Sequence, residues 1–262
     1  MRGKLNLASL AGWITLALGC VALIGAIIYN HQILAFIGLG LTFWGIILTY
    51  IKSEEYVKES LFNSTCLSSL TALNQLVDKL GYVEKAIYLP PKYLKELENV
   101  KVYIPKGKFS ILPSPEQTQM EEDNLFMKNP EGLLITPPGN ELNKLFEKTL
   151  ETSLTRVDFQ YLQLNLPKIF IEELEITQDI EINMENSKVH VKIENSPYLR
   201  LAKETARLSK VYESLGCPLS SAIACALAKA LGKPVKIERQ EINEAARTMM
   251  IEYSLLEEDT QN

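Results

Sequence analysis

The stretch YESLGCPLSSAIACALAKALGKPVKIER, Tyr212 to Arg239, decides how this chain is built. Gly216 is placed to end one helix, Cys217 to cap the next, and Pro218 to take the first turn, where a missing N–H is harmless. From Ala222 to Leu231 the helix is apolar or small on nearly every side, the mark of a segment buried against a sheet. Gly232 reads as its C-cap, with Lys229 and Lys233 facing the negative end of the helix dipole. The same Gly232-Lys233 pair fails as a phosphate loop. Leu227 stands where the first glycine belongs, Pro234 follows, and a helix C-terminus repels phosphate.

Working outward, strands flank this buried helix. Val235 to Arg239 and Met249 to Leu256 form a closing pair, and Ile180–Met184 and Val189–Ile193 alternate around Glu185-Asn186-Ser187 as a hairpin with one buried face. Tyr198 to Leu215 reads as helix, and Asp158 starts another that Pro167 restarts through Phe170 and Leu174. Upstream, Lys85–Leu89 and Val100–Ile104 read as strands around a short helix from Pro91 to Leu97. A strand followed by Pro-Pro and a helix occurs twice, at Ile87–Pro91 and Leu134–Pro138, either as a faint duplication or as two common turn signals coinciding. Pro113 to Asn124 is polar and acidic and is expected as an exposed loop, with strands at Phe109–Leu112 and Leu125–Met127. The class is α+β.

The N-terminus differs in kind. From Leu5 to Ile51 there is no Asp, Glu, Lys or Arg. Leu7–Tyr29 and Ile33–Ile51 are each long enough to cross a hydrocarbon core of about 30 Å as a helix, and only Asn30-His31-Gln32 separates them. A signal peptide is the rival reading, but the first run exceeds an h-region, no Ala-x-Ala site follows, and a second span comes at once. Arg2 and Lys4 before the first span, and Lys52 and Lys58 after the second, predict a multi-pass cell-membrane protein with both termini cytoplasmic. Small residues recur every three or four positions, including Gly12 and Gly19 in the first span and Gly38 and Gly45 in the second, and are expected to pack the spans together. The spans contain no polar group suited to transport, so the hairpin is an anchor.

The expected organisation is therefore a transmembrane hairpin over 1–52, an amphipathic connecting helix over 53–81, an α+β cytoplasmic domain over 82–256 and a polar tail over 257–262. A reducing compartment leaves Cys66, Cys217 and Cys225 free, and the glycosylation sequence Asn63-Ser64-Thr65 unmodified.

Chemistry is sparse. Cys217 at a helix N-terminus has two readings: a thiol activated by the dipole, or a small apolar residue buried at a tight turn. With Ser220 and Ser221 it makes a candidate ligand-binding site. Lys92, Lys95, Lys101, Lys106 and Lys108 concentrate positive charge in an acidic chain; they are either lipid-headgroup contacts or an ordinary solvated face. His190 lies on the polar side of its strand, and the two histidines cannot build a metal site together. No nucleophile elbow, dinucleotide fingerprint or zinc-protease motif is present, so no catalytic residue, metal or cofactor is expected. Net acidity argues against nucleic acid.

The segments GLGLTFWGIILTYI, AIYLPPKYL, LLITPPG and LGCPLSSAIACALAKALGKPVKIE together resemble an archaeal family of uncharacterised membrane-anchored proteins, along nearly the whole chain. The resemblance implies an archaeal source and a shared architecture, and no activity. The closing order of helix, Cys-Pro, helix and two strands is also similar to the end of vinyl-4-reductase-type sensor domains, which bind small molecules. Those carry further cysteines near the last strands, and Glu241 to Met250 has none. The expected function is a membrane-anchored, non-enzymatic scaffold or regulatory module for a protein partner. The alternatives are a small-molecule or lipid sensor with a pocket near Cys217 and the Pro-Pro turns, and a thiol-dependent enzyme.

Overall fold

The computed structural model describes residues 7–50, 58–82, 84–95, 99–107 and 112–257. The chain divides into two compact units, residues 1–59 and 60–262.

In the first unit, α1 (Leu7–Tyr29) and α2 (Gln32–Tyr50) form an antiparallel hairpin that turns at Asn30, where φ is +50°. Each contains 19 consecutive residues apolar enough to cross a membrane. The small residues let the two backbones touch. A Cβ on Gly19 would lie 2.6 Å from the Thr42 amide nitrogen, and one on Gly45 would lie 2.6 Å from that of Leu16. Gly12 meets Thr49 and Gly38 meets Leu23 in the same way. Thr15, Thr42 and Thr49 donate their hydroxyls to the carbonyls four residues back, so these three hydroxyls are not orphaned among apolar side chains.

The second unit is α+β, with one eight-stranded, fully antiparallel sheet. The strands are β1 (Ile87–Leu89), β2 (Lys101–Pro105), β3 (Phe126–Lys128), β4 (Glu131–Ile135), β5 (Asp179–Glu185), β6 (Lys188–Glu194), β7 (Val235–Asn243) and β8 (Thr248–Leu255). Their order is β3-β4-β2-β1-β7-β8-β6-β5. One face carries the main core. There α9 (Pro218–Leu231) lies on β1 and β7, flanked by α5 (Asn140–Leu150), α6 (Phe159–Lys168) and α7 (Tyr198–Ala206). The third membrane-length apolar stretch, Ser209–Leu231, is this buried spine. α3 (Glu59–Lys79) contributes Leu70 and Val77 to the same core and ends at Gly81, whose φ of +75° favours glycine.

The structure departs from the expectations at four places. The stretch 113–124 is not a bare loop: α4 (Pro115–Glu121) forms there, with Thr118 buried. Ser114 caps it, accepting from the Gln117 amide while the Gln117 side chain accepts from that of Ser114. Ser-Pro-Glu-Gln is a capping box that a reading by polarity passes over. The helix expected over 91–97 is a single 3-10 turn, Pro91–Tyr93, with residues 96–98 outside those described. The helix expected over 198–215 is two, α7 and α8 (Ser209–Leu215), because Asn74 of α3 accepts from the Val211 amide and caps the second. Pro167 does not restart α6; the helix runs through it and widens into a π turn at Ile169–Glu173. The two Pro-Pro turns are not a repeat, since only the second leads into a full helix. The strand expected at 109–112, the tail from 258 and the positions of Arg2, Lys4 and Lys52 lie outside the described residues, apart from Leu112.

Strand alternation divides the opposite face in two. On β1, β2 and β4, the residues Ile87, Leu89, Tyr103 and Leu134 point away from the main core and form a second core with Tyr93 and Met127. On β7, β8, β6 and β5, the outward residues are polar, as an antiparallel sheet permits when one side meets water.

Candidate functional site

Cys217, Ser220 and Ser221 are brought together, but in the core. Gly216 ends α8 at φ +77°, and Cys217 caps α9 with its sulfur 3.4 Å from the Ser220 amide. The Ser220 hydroxyl donates towards Gln240 Oε1 at 2.9 Å, and Gln240 Nε2 donates to the Tyr212 carbonyl at 2.7 Å. Ser221 Oγ accepts from the Gly139 amide, and Tyr253 donates its hydroxyl to the Ser220 carbonyl. All three candidates are at most 1 % exposed. Desolvation pushes the Cys217 thiol up, against hydrogen bonds from the helix start that act to lower it, so burial outweighs those bonds. The Pro-Pro turns do not open a pocket here. Gly139, after the second, packs so tightly on α9 that a Cβ would lie 2.1 Å from the Ala222 nitrogen, while Tyr93, after the first, belongs to the other face. These residues tie α8, α9 and β7 together, and the three candidates are buried among them.

Lys95 pairs with Asp123 at 3.1 Å, and Lys106 pairs with Glu131. Lys92 lies 6.0 Å from the centroid of the Tyr93 ring, Lys101 opens β2, and Lys108 is outside the described residues.

The open half-sheet gathers polar side chains that the sequence leaves scattered. Its register builds two rows across four strands. One runs Asn183, His190, Glu252 and Arg239; the other runs Glu181, Lys192, Met250 and Glu241. Between them lies a shallow groove of about 280 Å³ with half-exposed Met250 inside it. Neighbouring charges pair: Lys188 with Glu252 at 2.5 Å, Lys192 with Glu194 at 2.6 Å, Lys236 with Glu238 at 3.1 Å, and Arg239 with Glu241. Lys188, by hydrogen bond and charge, and His190 hold the Glu252 carboxyl below its usual range. Asp179, Glu181 and Glu185 of the edge strand β5 make no ion pair among the described residues. The polar side of this hairpin is visible in the sequence; its rows arise from register and are not.

A buried ion pair also escapes sequence reading. Lys229 donates to Glu147 of α5 at 2.7 Å with its side chain 1 % exposed. Among the described residues, no three His, Cys, Asp or Glu side chains gather as a metal site.

The chain belongs to the family described as Domain of unknown function (DUF7982), which matches residues 10–254 and so takes in both the hairpin and the sheet domain. No curated protein and no solved structure matches it.

Proposed function

We propose that this protein is a membrane-anchored, non-enzymatic binding module. The hairpin holds it in the bilayer with both ends on the cytoplasmic side, and the open half-sheet docks a protein partner of net positive charge. The observation that carries this reading is the charge left over on that face. Seven carboxylates (Asp179, Glu181, Glu185, Glu194, Glu238, Glu241 and Glu252) stand against five cations (Lys188, Lys192, Lys236, Arg239 and Lys85, which reaches Glu238 from before β1 at 3.2 Å). Leaving His190 aside, two negative charges remain, and the acids outside any ion pair among the described residues are the three on β5. The partner's cations meet those acids at the edge, while the groove around Met250 supplies a small apolar foothold. Four strands spaced at about 4.8 Å make a narrow platform, so the contact is weak in solution and gains from tethering in the membrane. Anchoring is supported by the length and apolarity of α1 and α2, and the orientation by the cationic residues flanking them.

The test places a photo-crosslinking amino acid at Met250 of the full chain in native membranes. A discrete adduct is expected, with its crosslinked peptide rich in Lys and Arg, and it should vanish in the Glu181→Lys, Glu185→Lys double variant and at high salt. An adduct indifferent to charge reversal, or one mapping to an acidic peptide, overturns the docking assignment.

A further inference from the structure

The main core has a gap in its roof at the other edge of the sheet. Phe126 on β3 pairs with Leu133, and Leu133 with Ile104, so the three form one row on the main-core face. Leu133 and Ile104 are fully buried; Phe126 is 48 % exposed. The cause lies in α3, which ends at Lys79 and leaves Leu80 and Tyr82 as the last wall before the sheet edge. A cleft of about 390 Å³ remains, lined by Leu80, Tyr82, Lys106, Phe126, Lys128 and Glu131, in the size range of small-ligand sites.

The rim is charged asymmetrically. Lys128 stands opposite Glu131 in the register and so on the same face as Phe126, yet Glu131 closes on Lys106 instead. The lining thus holds two ammonium groups and one carboxylate; a second carboxylate, Glu121, accepts from the Lys128 amide at 2.8 Å, while the Lys128 ammonium makes no ion pair among the described residues. Burial raises the Tyr82 phenol, with Lys106 acting to lower it and Glu131 to raise it. An exposed aromatic ring beside a lysine whose ammonium is in no ion pair among the described residues, in a concave cleft, complements a small molecule with an apolar body and one negative charge.

We propose that this cleft binds a small monocarboxylate with an aromatic or acyl body, which lies on Phe126 and Leu80 and places its carboxylate at Lys128. The site is independent of the docking face: β3 and β5 are opposite edges of the sheet. It also lies apart from the buried Cys217, Ser220 and Ser221, none of which lines it.

The full chain in lipid nanodiscs is titrated with naphthalene-2-carboxylate and, separately, with decanoate. Saturation-transfer NMR reads the binding, and empty nanodiscs are subtracted. Saturable binding of at least one probe is expected, and which one binds tells an aromatic body from an acyl chain. Lys128→Glu and Phe126→Ala should each weaken it by about tenfold or more, while Leu164→Ala, an exposed apolar residue elsewhere, should not. Lys128 is exposed and Phe126 half-exposed, so both variants should fold, which circular dichroism verifies. The neutral 2-naphthamide should bind like the Lys128→Glu variant binds the acid. Failure of both probes to saturate at millimolar concentration overturns the proposal, and so does equal binding by wild type and both variants.

Discussion

Replacing Glu147 by Gln gives the sharpest test of how α9 is held. Lys229 is the one charged residue on that helix, and its ammonium reaches Glu147 at 2.7 Å from a side chain only 1 % exposed. Glu147 is 20 % exposed, and its other oxygen accepts from the Leu154 amide at 2.9 Å and lies near the Ser153 hydroxyl. Gln keeps an acceptor for Leu154 but turns an amide NH2 toward Lys229, so the ammonium loses both its counter-charge and its acceptor. An uncompensated buried charge costs about 3–5 kcal/mol, which in a unit of this size lowers Tm by roughly 10 °C. Lys229→Met should cost much less, because the carboxylate left behind still touches water and keeps its amide donor. The double variant should therefore be more stable than Glu147→Gln alone. Both tryptophans, Trp13 and Trp44, lie in the hairpin, so their fluorescence does not follow this unit. Near-ultraviolet circular dichroism of the buried Tyr88, Tyr103 and Tyr253 during urea unfolding does. A Glu147→Gln loss below about 1 kcal/mol, or strict additivity in the double variant, refutes the view that the pair neutralises a charge held out of water.

Two further outcomes follow from burial. Desolvation raises Cys217, Cys225, Tyr88 and Tyr253 above ordinary values of 9.0 for the thiols and 10.0 for the phenols, so the fold keeps these protons where the unfolded chain releases them. Their contribution to stability is whole below about pH 9 and is lost as pH climbs through the raised folded values, at up to about 1.4 kcal/mol per pH unit for each group; urea midpoints that stay level from neutral to pH 10.5 contradict this. Gly139→Ala should destabilise by roughly 1–3 kcal/mol or more, because the new Cβ meets backbone atoms of Ala222 that cannot swing aside. Gly107→Ala, which enters open space, should stay within about 0.5 kcal/mol, and equal urea midpoints for the two variants would contradict the packing at α9.

What could be read in advance depended on whether a residue's role was local. Gly216, Cys217, Pro218 and Gly232 act within a few residues of themselves, and α9 spans Pro218–Leu231 as they imply. The β5–β6 hairpin was legible for the same reason, through its strict alternation. Sheet order, by contrast, is a long-range property. Nothing near Ile87 announces that β1 will sit between β2 and β7, or that Tyr93 and Met127 will cover the far face. The break between α7 and α8 rests on Asn74, more than a hundred residues away. Function suffers most from this. Cys217 looks informative because its neighbours in sequence are unusual, yet it is buried; the rows on the open face and the cleft at Phe126 are made of ordinary residues that only register and the end of α3 bring together.

The same distinction bears on membrane orientation. Asn63-Ser64-Thr65 is a glycosylation sequence, and a lack of sugar there would ordinarily place it in the cytoplasm. Yet Asn63 lies within α3 and is 6 % exposed, so it would escape modification on either side. Orientation must be read at positions the fold leaves open, and His31 in the hairpin turn and Lys58 before α3 are both exposed. In a chain with Cys20 and Cys66 replaced by Ala, the two remaining thiols are buried and protonated, which leaves a low background. His31→Cys should then react with a membrane-impermeant maleimide in intact cells, and Lys58→Cys only after permeabilisation. Labelling of Lys58→Cys in intact cells would invert the hairpin, and with it place the sheet domain, its docking face and the Phe126 cleft outside the cell.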